Sequence, residues 1–534
     1  MSYNESMELL IKHEHTDLNC QDRKDGVTPL MLSITYKNLE LLKALLSDPR
    51  TDPNIVDHFG QSPLHLAVYR NSPQMIQLLL QSAWTDVNSW DNNRQTSLVL
   101  TAELQKSRAT SSLLSIPTVN IDHVDNDGCT ALWYAVDECN TEIIQQLMER
   151  TSDVHDYWNQ AYNKTLFQLA IERGCELAVI RLLQKSDSGH RPEDEGDNHL
   201  IYDDDTCFFM AVVSNQVSIA RILLARGANI NAYNEDGQTA LHVACRYNNP
   251  RLVDLLLSHP QLDVNFPDHN LQTPLHIALC HDALSSVERL LSMPGIEVDS
   301  KDSSGRTPLW CAADRMNISL VRQLQERGAD CNTVACCGYT PLAWAALHSN
   351  VPKAELLLGV ADIQVKAKGS DEVPPLWAAC YAGNVEMVDL LLKHGADINE
   401  RRGRESAPLH ISIIMNHIKV TQRLLSEHHR LHHNSRFMHR TALIYAAADG
   451  NAAIVELLLN TARIQVKAVD KQRRAALWWA AAGGHIDVVK LLTNHPMARL
   501  HMTSDQCRTA YAIAQQREHH EVQACLDASC IPHR

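Results

Sequence analysis

Five histidines, His428, His429, His432, His433 and His439, form the densest histidine cluster in the sequence. On a continuous helix the four-residue step would set His428 over His432 and His429 over His433, a spacing that suits a shared divalent cation. The chain's period, described next, places them at a helix end and in the following hairpin, so an irregular solvated finger competes with a metal site. Cys311, Cys331, Cys336 and Cys337 could also meet at a loop, but no second paired-cysteine knuckle at zinc-like spacing accompanies them. His65, His242, His276 and His410 would suit general bases, yet each sits in a recurring box where a structural role is expected. The sequence has no glycine-rich phosphate loop, Gly-x-Ser-x-Gly elbow or kinase motif set. No catalytic residue, cofactor or metal is therefore expected. An enzyme carrying this array as its substrate arm would need an unassigned segment of roughly 100 residues, and the register leaves none.

The box that holds these histidines reads Thr-Pro-Leu. Its clearest copies begin at Thr28, Ser62, Thr273, Thr307 and Thr340, and looser ones at Thr96, Thr130, Thr239, Ala407, Thr441 and Ala475. Weak copies begin at Thr165, Thr206, Pro374 and Thr509. The copies recur about every 34 residues, with one longer step of 41, and a fixed period of this size marks a solenoid of small stacked units rather than one globular core.

Residues 234–265 show how one unit is built. Asp236-Gly237 signals a turn. Thr239 stands where a hydroxyl caps a helix, and in the cleaner copies proline follows at the first helical position, where its missing N–H costs nothing. Leu241, Val243 and Ala244 predict a short helix with small residues on one side; Asn248-Asn249 breaks it. Leu252, Val253, Leu255, Leu256 and Leu257 then predict a second, more apolar helix. Neither helix can bury its apolar face alone, so each pair must lie against the next.

This unit resembles the ankyrin repeat, best in Gly237–Ala244 and Gly305–Ala312, and the resemblance covers about residues 24–534. It implies an all-α solenoid of about fifteen repeats with hairpin-like fingers. The expected boundaries are a capping half repeat over 1–23, which contains the apolar run Met7–Ile11, then repeats over 24–57, 58–91, 92–125, 126–160, 161–201, 202–234, 235–268, 269–302, 303–335, 336–369, 370–402, 403–436, 437–470, 471–504 and 505–534. Tryptophan in the usual histidine place (Trp133, Trp310, Trp377, Trp478), with the linker Leu256–Asn265, is similar to arrays of filamentous fungi. The turn glycine is replaced by Arg94, Leu271, Glu372, His439, Arg473 and Cys507, and those hairpins are expected to be longer, bent or less ordered. The segment Arg108–Leu114 makes a poor second helix, predicting a loose unit.

The chain carries a net charge of −15, unevenly distributed. Residues 1–300 hold 21 Lys and Arg against 41 Asp and Glu, whereas residues 401–500 hold 15 against 6. Either the solvated faces drift in composition or the two ends take different partners. A run of 187–205, rich in Asp, Glu and turn formers, lengthens one repeat; it reads as an exposed acidic loop or an acidic docking segment. It lacks the alternating ligands of an EF-hand. A net acidic chain with no recognisable nucleic-acid module predicts no direct nucleic-acid binding. The scattered cysteines, the missing signal peptide and the missing apolar span predict a cytoplasmic or nuclear protein that does not enter membranes.

The resemblance implies binding on the concave side, through finger tips and the edge of the first helix. In this register those places are held by Arg246, Tyr247, His281, Arg306, Asp314, Arg315, His348, Tyr381 and Asp449, with Arg440, Arg474 and Arg508 at the tips. Tyrosine and arginine dominate interface energetics. The expected function is a monomeric, non-enzymatic scaffold or adaptor. Its C-terminal half would take an acidic or phosphorylated protein segment, because arginine recurs just before the box at 306, 440, 474 and 508. The resemblance leaves two alternatives: a transcription coregulator, such as one serving a fungal secondary-metabolite gene cluster, and the repeat region of a larger multidomain protein or an enzyme's substrate arm.

Overall fold

The computed structural model describes residues 11, 13–151, 158–186, 204–366, 372–403, 406–427, 429–461, 464–494, 496 and 504–530. Most of the capping run Met7–Ile11, the insertion 187–203 and His428 lie outside the described residues. The chain forms two compact units. One comprises Met1–Glu235, Thr239–Ala244 and Asn249–Leu262; the other comprises Asp236–Gln238, Cys245–Asn248 and Asp263–Arg534. Both are built from pairs of short antiparallel helices joined by fingers, and the only two-stranded pairing among the described residues joins Trp158–Asn159 to Lys164–Thr165.

The box determines where each first helix starts. The hydroxyls of Thr28, Thr130 and Thr340 accept hydrogen bonds from the third helical N–H at 3.3, 3.1 and 3.2 Å, satisfying a donor that no helical carbonyl can reach. First helices such as Pro308–Asp314 and Pro341–Leu347 run only seven residues. The next residue but one turns into the left-handed region, as at Asn248, Met316 and Asn416, which ends the helix. Asparagine then caps many second helices: Asn140, Asn249, Asn317, Asn384 and Asn451 each accept from the third helical N–H.

Alanines on the first helices (Ala312, Ala313, Ala345, Ala346, Ala378 and Ala379) are fully buried. They let neighbouring backbones approach, while leucines such as Leu324, Leu357 and Leu391 fill the space between second helices. In the second unit, first helices accordingly lie closer to one another than second helices do.

The structure changes three expectations. At four of the six places without the turn glycine the backbone still turns as glycine would: Arg94, Leu271, His439 and Arg473 take a positive φ, between 57° and 67°, while Cys507 lies within the helix Ser504–Gln516. Before Arg94, Leu271 and Arg473 the carboxylate three residues earlier holds the turn, as Asp91 Oδ1 does by accepting from the N–H groups of Asn93 and Gln95, both at 2.9 Å; the finger of His439 has Arg436 there instead. The weak segment near Arg108 does form a helix, Ser107–Leu114, with Ala109, Thr110, Leu113 and Leu114 buried. And Asp204 and Asp205 belong not to the insertion but to the helix Asp204–Val213.

Candidate protein-interaction surface

The box histidines His65 and His276 are structural cross-links between repeats. Ser62 N–H donates to His65 Nδ1 at 3.2 Å, which leaves Nε2–H to donate to the Gln95 carbonyl at 2.9 Å. His276 repeats the arrangement, taking Thr273 N–H at 3.2 Å and reaching the Arg306 carbonyl at 3.1 Å. Burial holds both imidazoles below their ordinary pKa, so they are neutral linkers rather than exposed bases.

The His429–His433 pairing also loses its geometry. The helix that would align His429 with His433 is Ile418–Ser426, which ends before either; His433 is buried and His429 exposed. Cys311 faces the Cys280 thiol, whose hydrogen bond pushes Cys311 up and pulls Cys280 down. Cys331, by contrast, donates to the Ala361 carbonyl and Cys336 to that of Ser303. Among the described residues no three His, Cys, Asp or Glu side chains are placed to hold a metal ion.

All the predicted surface residues belong to the second unit. Tyr247, His281, Arg315 and His348 are C-terminal neighbours of four successive first helices, and all four are exposed. His281 lies between Arg246 and Arg315; burial and these two charges lower its pKa. Arg315 also donates to the Cys280 carbonyl, tying one first-helix end to the preceding one. The His348 ring packs on Trp344 with centroids 4.3 Å apart, and the exposed Tyr381 stacks on Trp377 at 5.5 Å. Tyr381 thus rests on a tryptophan of its own helix, and His348 on one of the helix it follows.

Three other predictions are corrected. Asp314 is not free, because the nearly buried Lys353 donates to it at 2.5 Å. Arg306 and Arg474 fold back onto their own hairpins: Asp302 Oδ2 accepts from Nε and Nη2 of Arg306 at 3.0 and 2.8 Å, and Asp470 Oδ2 from the same atoms of Arg474, both at 2.8 Å. Burial opposes ionisation of Asp470, but Arg474 and the hairpin N–H donors hold its carboxyl below the usual range. Arg508 is exposed on the helix Ser504–Gln516, not at a finger tip. Of Arg306, Arg440 and Arg474, the three predicted arginines that stand just before the box in a finger, Arg440 alone has no ion pair among the described residues.

The supporting aromatics were not anticipated. Arg402 lies 5.2 Å from the Trp377 ring, Arg440 lies 3.8 Å from Trp479 and 5.6 Å from Tyr445, and Arg474 lies 4.2 Å from Trp479. Such stacking holds a guanidinium flat and leaves its N–H edge available. The spacing Asp302-x-x-x-Arg306 and Asp470-x-x-x-Arg474 was a signal for the ion pairs. The Arg402–Trp377 and Arg440–Trp479 contacts join residues 25 and 39 positions apart and had no local signal, whereas Arg440–Tyr445 and Arg474–Trp479 are five positions apart.

Comparison with known proteins agrees with this architecture. A family model for ankyrin repeats (three copies) matches residues 1–91, 208–302, 283–368, 354–436 and 423–504, well over half of the sequence. The chain belongs to the ankyrin-repeat family. It is 34% identical over 174 residues to the chicken NF-kappa-B inhibitor alpha, covering 31% of this chain and 55% of that protein. It is 32% identical over 140 residues to the mouse fem-1 homolog A-like protein, covering 26% and 21%, and 31% identical over 124 residues to the mouse B-cell lymphoma 3 protein homolog, covering 23% and 26%. The chain thus spans between about a fifth and about half of these relatives. No helix among the described residues is long and apolar enough to cross a membrane.

Proposed function

We propose that this protein is a non-catalytic scaffold or adaptor inside the cell, and that the first-helix and finger side of its second unit holds an acidic segment of a partner protein. The observation that carries the reading is the row Tyr247, His281, Arg315 and His348. One exposed side chain per repeat stands at the same place, continued by Tyr381 on its Trp377 support. A row on a fixed pitch suits an extended chain, because each repeat presents its contact without ordering a loop first. The basic bias of residues 401–500 adds attraction for an acidic chain. The name of the chicken relative, an inhibitor of NF-kappa-B, favours a second form of the same reading, in which binding masks a partner, as a coregulator would.

Affinity capture with the intact chain tests this. A Tyr247→Ala, His281→Ala, Tyr381→Ala variant should lose most of the proteins that the unsubstituted chain retains, while keeping its helical circular dichroism. Equal recovery of the same proteins by a folded triple variant would remove the surface from consideration.

A further inference from the structure

Position 436 separates one finger from its sisters. In the fingers that end at Arg306 and Arg474, the residue four places earlier is aspartate, and its carboxylate binds the arginine through two N–H groups. In the finger that ends at Arg440 that place is Arg436. The hairpin closes differently as a result. Phe437 and Arg440 exchange backbone hydrogen bonds at 2.9 Å, with Met438 and His439 both at positive φ, 46° and 67°, the geometry of a two-residue type I′ turn. Arg440 thus lacks the internal anion its sisters have.

What remains is a prepared cation. The Arg440 guanidinium rests 3.8 Å from the Trp479 ring and 5.6 Å from Tyr445. Both rings are anchored: Trp479 Nε1 donates to Asp470 Oδ2 at 3.1 Å, and Tyr445 donates its hydroxyl to the Phe437 carbonyl at 3.3 Å. Asp470 is in turn occupied by Arg474, so it neutralises the neighbouring guanidinium and leaves Arg440 uncompensated. Arg401 reaches the same finger, donating to the Arg436 carbonyl at 2.7 Å.

We infer that Arg440, flattened on Trp479 and Tyr445 beside Arg436, is an oxyanion-binding site that takes one carboxylate or phosphate group from the partner segment, in the place where Asp302 and Asp470 serve the sister fingers. The inference rests on the proposed binding of an acidic segment and narrows its charge recognition to one finger. A planar guanidinium held on rings presents two parallel donors, which match both anions.

The test uses the full chain labelled with 5-fluorotryptophan, with the Trp479 fluorine resonance assigned from Trp479→Phe. Inorganic phosphate and acetate are titrated separately at ionic strength kept constant with chloride. The expected result is a saturable shift of the Trp479 resonance with either or both anions; which one binds more tightly identifies the group the site prefers. The shift should vanish in Arg440→Gln and persist in Arg306→Gln. Arg436→Asp should weaken the anion at least tenfold by restoring the internal carboxylate, and it removes no side chain from the stack. A shift that tracks ionic strength alone, or that survives undiminished in a folded Arg440→Gln protein, overturns the assignment. If the anion response is absent while partner capture still depends on Tyr247, His281 and Tyr381, the scaffold reading stands and this site falls. If that dependence is lost while the anion response is retained, the site stands and the proposed contact row falls.

Discussion

His410 occupies the place where His65 and His276 each bridge two repeats, but its box begins with Ala407, which has no hydroxyl to offer. Neither ring nitrogen of His410 has a well-aligned hydrogen-bond partner, the Ser435 and Arg440 backbone giving only a partial one, and the ring meets Phe437 and Tyr445 edge-on at 6.4 and 6.1 Å. Burial, with Arg401 adding to it, lowers the imidazole pKa to about 4. An unfolded histidine titrates near 6.5, so between these values the unfolded chain binds the extra proton, and stability falls as pH falls. The contribution is about 2 kcal/mol between pH 7 and pH 5 from a shift of this size. His410→Leu should flatten the decline in melting temperature over that range. An unchanged slope would show that the ring is not held neutral. The box histidine was legible in the sequence; its isolation was legible too, in Ala407. What the sequence did not show was the aromatic wall that replaces the missing bond, because Phe437 and Tyr445 come from the next repeat.

At the scale of the element, the hairpin tolerates loss of its glycine because another group carries the turn. Asp268 Oδ1 accepts from the N–H groups of Asn270 and Gln272, both at 2.8 Å, while Leu271 sits at φ 57°. A side chain there costs roughly 1 kcal/mol in the left-handed region. Leu271→Gly should therefore stabilise the protein by about 0.5–1 kcal/mol in urea melts, whereas Asp268→Ala should destabilise it by a larger amount. A destabilising glycine would mean that the exposed Leu271 makes a contact worth more than its strain. A second element-level device is the asparagine after the extended segment. Asn54 binds the Trp84 carbonyl and Asp86 N–H, both at 2.7 Å, and Asn399 binds the Arg430 carbonyl and His432 N–H, also at 2.7 Å. Each stitches one repeat to the next through both ends of its amide. Asn399→Ala should cost roughly 1–3 kcal/mol if these backbone groups lose their partner without water replacing it, a loss measurable as a lower denaturant midpoint. The period-bound asparagines were visible in the sequence, but only the stack shows which backbone groups they reach.

At the scale of the whole molecule, the charge asymmetry separates two kinds of association. The finger arginines are numerous, yet Arg306 and Arg474 are spent on Asp302 and Asp470, so the net charge of residues 401–500 overstates the charge available to a partner at contact. What remains acts at longer range and is screened by salt over about 10 Å at 0.1 M. Partners retained through the Arg440 finger should elute between roughly 0.1 and 0.5 M salt, while contacts through Tyr247 and Tyr381 should persist. Retention that is wholly insensitive to salt would argue against an acidic partner.

The period, the capping box and the small-residue pattern are local properties of the chain, and from them the repeat architecture and the structural place of the box histidines could be read directly. They are readable because each repeat uses the same short-range physics: a hydroxyl on a free N–H, a proline at a helix start, alanines where backbones must meet. Which arginine faces outward is a different kind of question. Arg306, Arg440 and Arg474 stand in the same place in the repeat, and the answer depends on a carboxylate four residues back and on aromatic rings from a neighbouring repeat. A guanidinium goes where its charge is best compensated: Arg306 and Arg474 find a carboxylate four residues back, a local matter, whereas Arg440 rests on Trp479 of the next repeat, which only tertiary packing supplies.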